Sequence, residues 1–237
     1  MLSSMKNIFL CSNKKAVPSL PYDAEVEYLQ STGATTYMLL PLVWRATTHV
    51  EVTWQRVNRY AQPIFGCRTN NNNTVCVSLY HERNNDNLSR ARWHNYTKTT
   101  YGEWWSGAAI QQRKETVTID YPTLTMTYSL GTKTISAFDA TLRNNTTALF
   151  GIGNSTGTGL DQAAAVRIFT FKAFDATGDL YDLQPVRFTN EQGQSEGAMY
   201  DRLGVGGMNP DGSPRTDGLY RNRGTGAFLY GADKENR

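Results

Sequence analysis

The sequence predicts an all-β fold, two antiparallel sheets stacked as a jelly-roll sandwich, with an N-terminal arm over residues 1–21. Three observations predict it. Apolar and polar residues alternate with period two in segment after segment, the pattern of a strand with one wet face. Aromatic residues make up 11% of the chain and charged ones only 19%, a balance that suits a pleated, half-buried surface and argues against disorder. Clusters of Asn and Gly punctuate the segments, and no long helical period interrupts them. A chain of 237 residues can bury a substantial core without staples, and one sandwich over residues 22–237 accounts for its length.

Residues 1–21 lack sustained alternation and end in the run PSLP, which reads as an arm or linker. The apolar run at residues 8–11 is too short for the core of a signal peptide. No stretch approaches a membrane helix in length. The chain is therefore expected to fold in the cytoplasm in which it is made, with no membrane partner.

From Ala24 onward the strands follow one another. Val50, Val52 and Trp54 alternate with Glu51, Thr53 and Gln55. Val75, Val77 and Leu79 obey the same rule, as do Val117, Ile119 and Tyr121, and then Leu124, Met126, Tyr128 and Leu130. Residues 166–174 are more continuously apolar and read as a strand buried on both faces. Shorter strands are expected near Tyr28, Tyr37, Phe65, Ile135, Phe150, Val186, Tyr200 and Phe228. Turns are expected at residues 70–73, 84–87, 144–145, 151–159 and 204–218. Residues 160–165 have the look of a single helical turn. Gly224 and Gly226 fit a tight hairpin with positive φ. Pro185 fits a strand start or edge, where its missing N–H costs little. Tyr28 and Tyr200 read as core or strand-pairing residues, and Asp201 as a turn cap or a cation ligand.

The formal net charge of +3, without a basic stripe, excludes a nucleic-acid partner. Of the three cysteines, Cys67 and Cys76 flank a turn-like run; they either pair across a hairpin or remain reduced thiols. His49, His81 and His94 stand apart in sequence, so no zinc site is expected. Calcium needs oxygen ligands converging from loops. Asp175, Asp179 and Asp182 lie close in sequence, and Asp211 and Asp217 lie in the Gly/Pro-rich stretch 204–218, but no loop consensus joins them. No cofactor is expected, and these aspartates read as solvated turns.

Sandwich glycosidases place paired carboxylates on one strand, so that alternation aims both into one groove. The nearest pairs, Glu25 with Glu27 and Asp179 with Asp182, lack the required strand pattern. Neither a nucleophile elbow nor a phosphate loop occurs. The sequence thus assigns no catalytic residue, and the chain is expected not to be an enzyme. Carbohydrate binding is the natural alternative, because sugars stack on aromatic rings and bond to amides. Trp93, Asn95, Tyr101, Trp104 and Trp105 are the candidate glycan contacts. The competing reading covers these rings by the core or by a subunit contact.

Four segments carry a family resemblance. VEYLQSTG at residues 26–33, followed by Thr36 and Tyr37, resembles the opening "EYLxSTGTQYI" of a group of laminin-G-like domains found in phage and prophage proteins of gut bacteria. LQPVR at residues 183–187 resembles that group's "DFxPVR", and GAMYDR at residues 197–202 its "GxYDxV". NRGTGAF at residues 222–228, with Gly231, is similar to the closing "NxGTGxFxxG". The order and spacing agree over residues 25–231. Two departures stand out: Leu183 and Gln184 replace the usual aspartate and phenylalanine, and a Gly/Pro-rich insertion fills residues 204–218.

The resemblance implies a concanavalin A-like, laminin-G-like jelly roll. It also implies a non-catalytic bacteriophage virion surface protein: a head fibre, a capsid decoration protein or a tail-associated protein. Its partners would be other virion proteins, held through the arm, and host-surface glycans. A homo-oligomer, of which a trimer is one form, is the matching assembly. The location would be the virion; the alternative is an extracellular or bacterial cell-surface site. A bacterial carbohydrate-binding module is the alternative function, followed by a glycoside hydrolase or lyase.

Overall fold

The alternation read from the sequence becomes a pair of pleated sheets, because each strand can bury only one row of side chains while its backbone pairs sideways. The computed structural model describes residues 20–33, 36–57, 62–68, 76–84, 88–96, 98–101, 113–138, 146–203 and 216–235. Among them the strands run in chain order as β1 (Ala24–Glu25), β2 (Leu29–Gln30), β3 (Met38–Leu40), β4 (His49–Arg56), β5 (Gln62–Arg68), β6 (Cys76–Asn84), β7 (Leu88–Tyr96), β8 (Lys98–Tyr101), β9 (Glu115–Asp120) and β10 (Thr125–Tyr128). They continue as β11 (Gly131–Thr134), β12 (Thr147–Leu149), β13 (Gly151–Gly153), β14 (Leu160–Ala163), β15 (Val166–Asp175), β16 (Gly178–Thr189), β17 (Ser195–Asp201), β18 (Leu219–Tyr220) and β19 (Leu229–Tyr230). No helix occurs among the described residues.

One sheet has the order β11-β10-β9-β4-β15-β16-β17-β18, with β1 beside β16, and β2 between β15 and β19. The other has the order β14-β13-β5-β6-β7-β8, with β12 joining β5 to β3. Among the described residues pairing is antiparallel except for one parallel bridge, between Gly153 and Cys67. The chain is therefore an all-β two-sheet sandwich, in keeping with a jelly roll.

The core lies between the sheets. Phe65 of β5 meets Phe171 of β15 edge to face, with centroids 5.4 Å apart. Trp44 stacks on Phe65 at 6.2 Å, and its indole N–H donates to Thr147 Oγ1 at 2.8 Å. That bond satisfies a polar atom that burial would otherwise strand. Val50, Val52 and Trp54 are all buried, as the alternation requires. A smaller cluster of Val186, Phe188, Ala198 and Leu219 forms separately, with Tyr22 and Tyr200 packed on it.

Several expectations change. Residues 160–165 are not helical: 160–163 form β14, which pairs antiparallel with β13. Inter-strand bonds settle so short a segment, where helical nucleation is costly. Residues 151–159 are not all turn. Gly151 and Gly153 are buried in β13, because a Cβ would meet Gln162 O at 2.4 Å and Thr146 O at 2.5 Å respectively. The apolar run 166–174 does not bury both faces: Lys172 and Phe174 of β15 are exposed and Arg167 is half-buried. Phe150 has a short strand on either side, as expected, β12 before it and β13 after it. It sits at the kink between β12 and β13 with φ 65°, an unfavourable conformation for an aromatic residue. Its N–H bonds to Ile64 O, and its carbonyl accepts from Ala164 N–H.

Pro185 is neither at a strand start nor on an edge. It lies inside β16 where the neighbouring strand changes: β15 pairs as far as Leu183, and β1 takes over at Val186. The missing N–H falls in that gap. Cys67 pairs in register with Val77, and Cys76 with Arg68, so the two cysteines are not cross-strand partners.

Candidate functional site

The hairpin β6–β7, with β8 beside it, holds the described residues read as glycan contacts. Its parity is set by Val77 and Leu79, which are fully buried. Register pairs Val77 with Asn95 and Leu79 with Trp93. Cross-strand partners share a face, so Trp93 and Asn95 point into the sandwich. Trp93 is 1% exposed and packs against Trp44 at 5.8 Å and Phe65 at 6.1 Å. Asn95 is buried, and its Nδ2 donates to the carbonyls of Ser136 (2.9 Å) and Ala137 (2.7 Å). The expectation that these two side chains offer a surface to sugar is corrected: one is core and the other pins a loop. Tyr101 ends β8 opposite Arg92. Trp104 and Trp105 lie outside the described residues.

The opposite face of the same hairpin is polar and aromatic. The Arg92 guanidinium lies 4.4 Å over the Tyr80 ring, a cation–π contact. His94 meets the same ring edge to face at 5.3 Å, and its Nδ1 lies 3.2 Å from Thr99 Oγ1. Burial pushes the His94 imidazole down to about 4, helped by the Arg92 charge; the ring is neutral at physiological pH. Tyr80 Oη donates to Gln162 Oε1 at 2.5 Å, and Arg68 Nη1 reaches Asp161 Oδ2 at 2.6 Å. Between these walls the floor is small: Gly66 pairs with Ser78 and Ser78 with His94. A Cβ on Gly66 would meet that of Ser78 at 2.5 Å. Chemically this face offers cations, a neutral imidazole and a hydroxyl-bearing ring. Arg68, Tyr80, Arg92, Asp161 and Gln162 on this face were not among the candidate contacts read from the sequence. The signal was present: Ala91 and Trp93 alternate with Arg90, Arg92 and His94, which sends the tryptophan inward.

The four family-like segments, far apart in sequence, converge on one seam. Leu29 and Gln30 pair with Tyr230 and Leu229. Val26 bridges Asp233, and Glu25 pairs with Val186. Gly197 packs closely under Leu29 and Phe228: a Cβ there would stand 2.7 Å from Leu29 Cδ2 and 3.2 Å from Phe228 Cβ. Gly224 and Gly226 do not adopt positive φ, and their loop is no tight hairpin. Asn222 holds it instead. Its Oδ1 accepts from Tyr37 N–H and Gly224 N–H, both at 3.0 Å. Its Nδ2 donates to the carbonyls of Gly224 (3.2 Å) and Gly226 (2.5 Å). Tyr28 is half-buried beneath the Arg167 guanidinium at 4.5 Å. Tyr200 pairs with Leu219 and stands 4.9 Å from Tyr22. These motif residues close the sandwich.

Three of the aspartates considered for a cation, Asp175, Asp201 and Asp217, bond to other protein groups. Asp175 is buried and accepts from Arg45 Nη1 at 2.9 Å and from the Thr177 N–H at 2.7 Å. Asp201 caps its turn, accepting from Leu203 N–H at 3.2 Å and from Asp182 N–H at 3.1 Å. Asp217 pairs with Arg221 at 2.6 Å. Asp211 lies outside the described residues. Among the described residues no group of three or more His, Cys, Asp or Glu side chains could hold a metal ion.

No family model matches the chain, and no curated protein matches it. Among solved structures it is similar to the mouse laminin alpha1 chain, domains LG4-5, with a TM-score of 0.44 and 15% identity. That likeness covers 70% of this chain and 48% of the laminin chain, so the chain spans about half the length of that structure.

Proposed function

We propose that this chain is a non-catalytic surface module of a bacteriophage virion, a head fibre, capsid decoration or tail-associated protein. In this reading residues 1–21 attach it to the particle or to sister subunits, and the sandwich projects outward. The observation that carries the reading is the seam. The segments that resemble the phage-associated domains occupy interlocking positions in one closing layer, as the corresponding parts of a shared fold would. The same seam brings Ala24 and Glu25 beside β16 and the bridge at Asp233, so an arm leaving at residue 21 departs from one side of the sheet. Support for a non-catalytic role comes from the buried acids. Asp175 and Asp201 spend their oxygens on structural partners, and Glu115 accepts from Ser129 N–H at 2.8 Å and pairs with Arg113.

The test is deletion of residues 1–21. The truncated chain should keep its folded β spectrum and fail to co-purify with particles; normal incorporation would overturn the anchoring role. Glycan adhesion is a separate outcome, read on a glycan array with the Trp104→Ala and Trp105→Ala variants. Binding lost in those variants, with no association with particles, would favour the carbohydrate-binding module. Product release from polysaccharide would favour a hydrolase or lyase.

A further inference from the structure

A row of polar side chains crosses the outer face of the sheet that holds β4 and β15. Val166 and Ile168 of β15 are fully buried, so Arg167 between them points away from the core. Register sets Gln55 of β4 on one side of Arg167 and Gln30 of β2 on the other. Glu115 pairs with Trp54, which puts the exposed Lys114 beside Gln55. The guanidinium is held in place. Arg167 Nε donates to Gln30 Oε1 at 2.7 Å, Nη1 donates to Gln55 Oε1 at 3.0 Å, and the group lies 4.5 Å over the Tyr28 ring. Tyr28 meets Phe169 edge to face at 5.5 Å, and the Lys114 ammonium sits 4.2 Å over Phe169.

Among the described residues this row has no acid of its own. Arg167 is half-buried and bonds to two amides and a ring. Acids on nearby strands are engaged elsewhere: Glu115 with Arg113 at 3.2 Å, and Glu25 with Arg202 at 3.6 Å and Lys234 at 3.8 Å. Glu27 acts on Lys234. Partial burial of a charge is costly without an opposite charge, and tying two glutamines together needs only a neutral donor. The guanidinium has donors to spare. Nε and Nη1 are bonded to the glutamines, while Nη2 bonds to none of the described residues, so the Nη1–Nη2 edge presents the two-pronged fork that matches a carboxylate. Gln30 spends its carbonyl on Arg167 and keeps its amide nitrogen as a donor for a hydroxyl. The next row holds Thr116, Thr53 and Thr170 in register, a hydroxyl surface that suits a polyhydroxylated chain.

We propose that this row binds an acidic polysaccharide, with a sugar carboxylate on the Arg167 fork and Lys114 supplying a second positive charge to the same chain. The inference deepens the adhesion reading above by naming a sugar class and a site, and it requires neither residues 1–21 nor Trp104 and Trp105. Isothermal titration of the full chain with polygalacturonate tests it. The fully methyl-esterified polymer, which keeps the backbone and loses the carboxylates, is the control. The wild-type chain should bind the acid and ignore the ester. Arg167→Lys keeps the charge and loses the fork, so affinity should fall at least about tenfold. Lys114→Gln, at an exposed position, should weaken binding about threefold with an unchanged melting temperature, which guards against a folding defect of the arginine variant. No binding by the wild type, equal binding of the ester, or wild-type affinity in Arg167→Lys would overturn the inference. Dextran sulfate bound as tightly as polygalacturonate would mark a general attraction to polyanions and would overturn it too. If polygalacturonate is ignored while deletion of residues 1–21 abolishes particle incorporation, the virion reading stands and this site falls.

Discussion

Replacing Asn222 by alanine removes a side chain that makes at least four hydrogen bonds while touching no candidate ligand. Two of its partners, Tyr37 N–H and Gly224 N–H, lose an acceptor; two carbonyls, those of Gly224 and Gly226, lose a donor. All four bonds are part-buried, so water compensates incompletely. At about 1 kcal/mol net for each bond, the loss amounts to about 4 kcal/mol. For a domain of this length that is a fall of about 8–16 °C in melting temperature. Calorimetry on the purified chain reads it directly. Asn222→Asp should be nearly as damaging, because a carboxylate still accepts but repels the two glycine carbonyls. A melting temperature within about 1 °C of wild type would refute the claim that this amide ties the closing loop to residues 36–37.

Trp93→Ala should cost about 3–5 kcal/mol as a core cavity, read by urea unfolding, rather than act as a selective loss of ligand. His94 should titrate near 4 by NMR. Its folded value lies below its ordinary 6.5, so it contributes stability above that value, lost as pH falls from 6.5 towards 4; His94→Gln should flatten that stretch of the stability profile. At Asp175, burial alone would raise the carboxyl, but the Thr177 hydrogen bonds and the Arg45 guanidinium outweigh it and hold it below the ordinary range. Its contribution is therefore present at neutral pH and lost as pH falls below about 4. Asp175→Asn should remove that acid-sensitive component, measured as urea midpoints at successive pH values. Gly197→Ala should destabilise the seam, because its methyl would press on Leu29 at 2.7 Å; an unchanged urea midpoint would sink the close-approach argument.

Period-two alternation determined by itself that this chain folds into two sheets, and it placed β4, β6, β9 and β10 correctly, because side-chain direction in a strand is a local property of the backbone. The segments near residues 26–33, 183–187, 197–202 and 222–231 were legible as a set. Their meeting in one seam was not, since pairing across two hundred residues leaves no local trace. Tertiary structure alone decided the rest. Neighbouring strands turned residues 160–163 into β14, and close packing demanded glycine inside β13. Register with Val77 and Leu79 turned Trp93 and Asn95 from surface candidates into core. The polar face of Tyr80, Arg92 and His94 emerged from the same register, because which side of a hairpin meets water depends on what the second sheet covers.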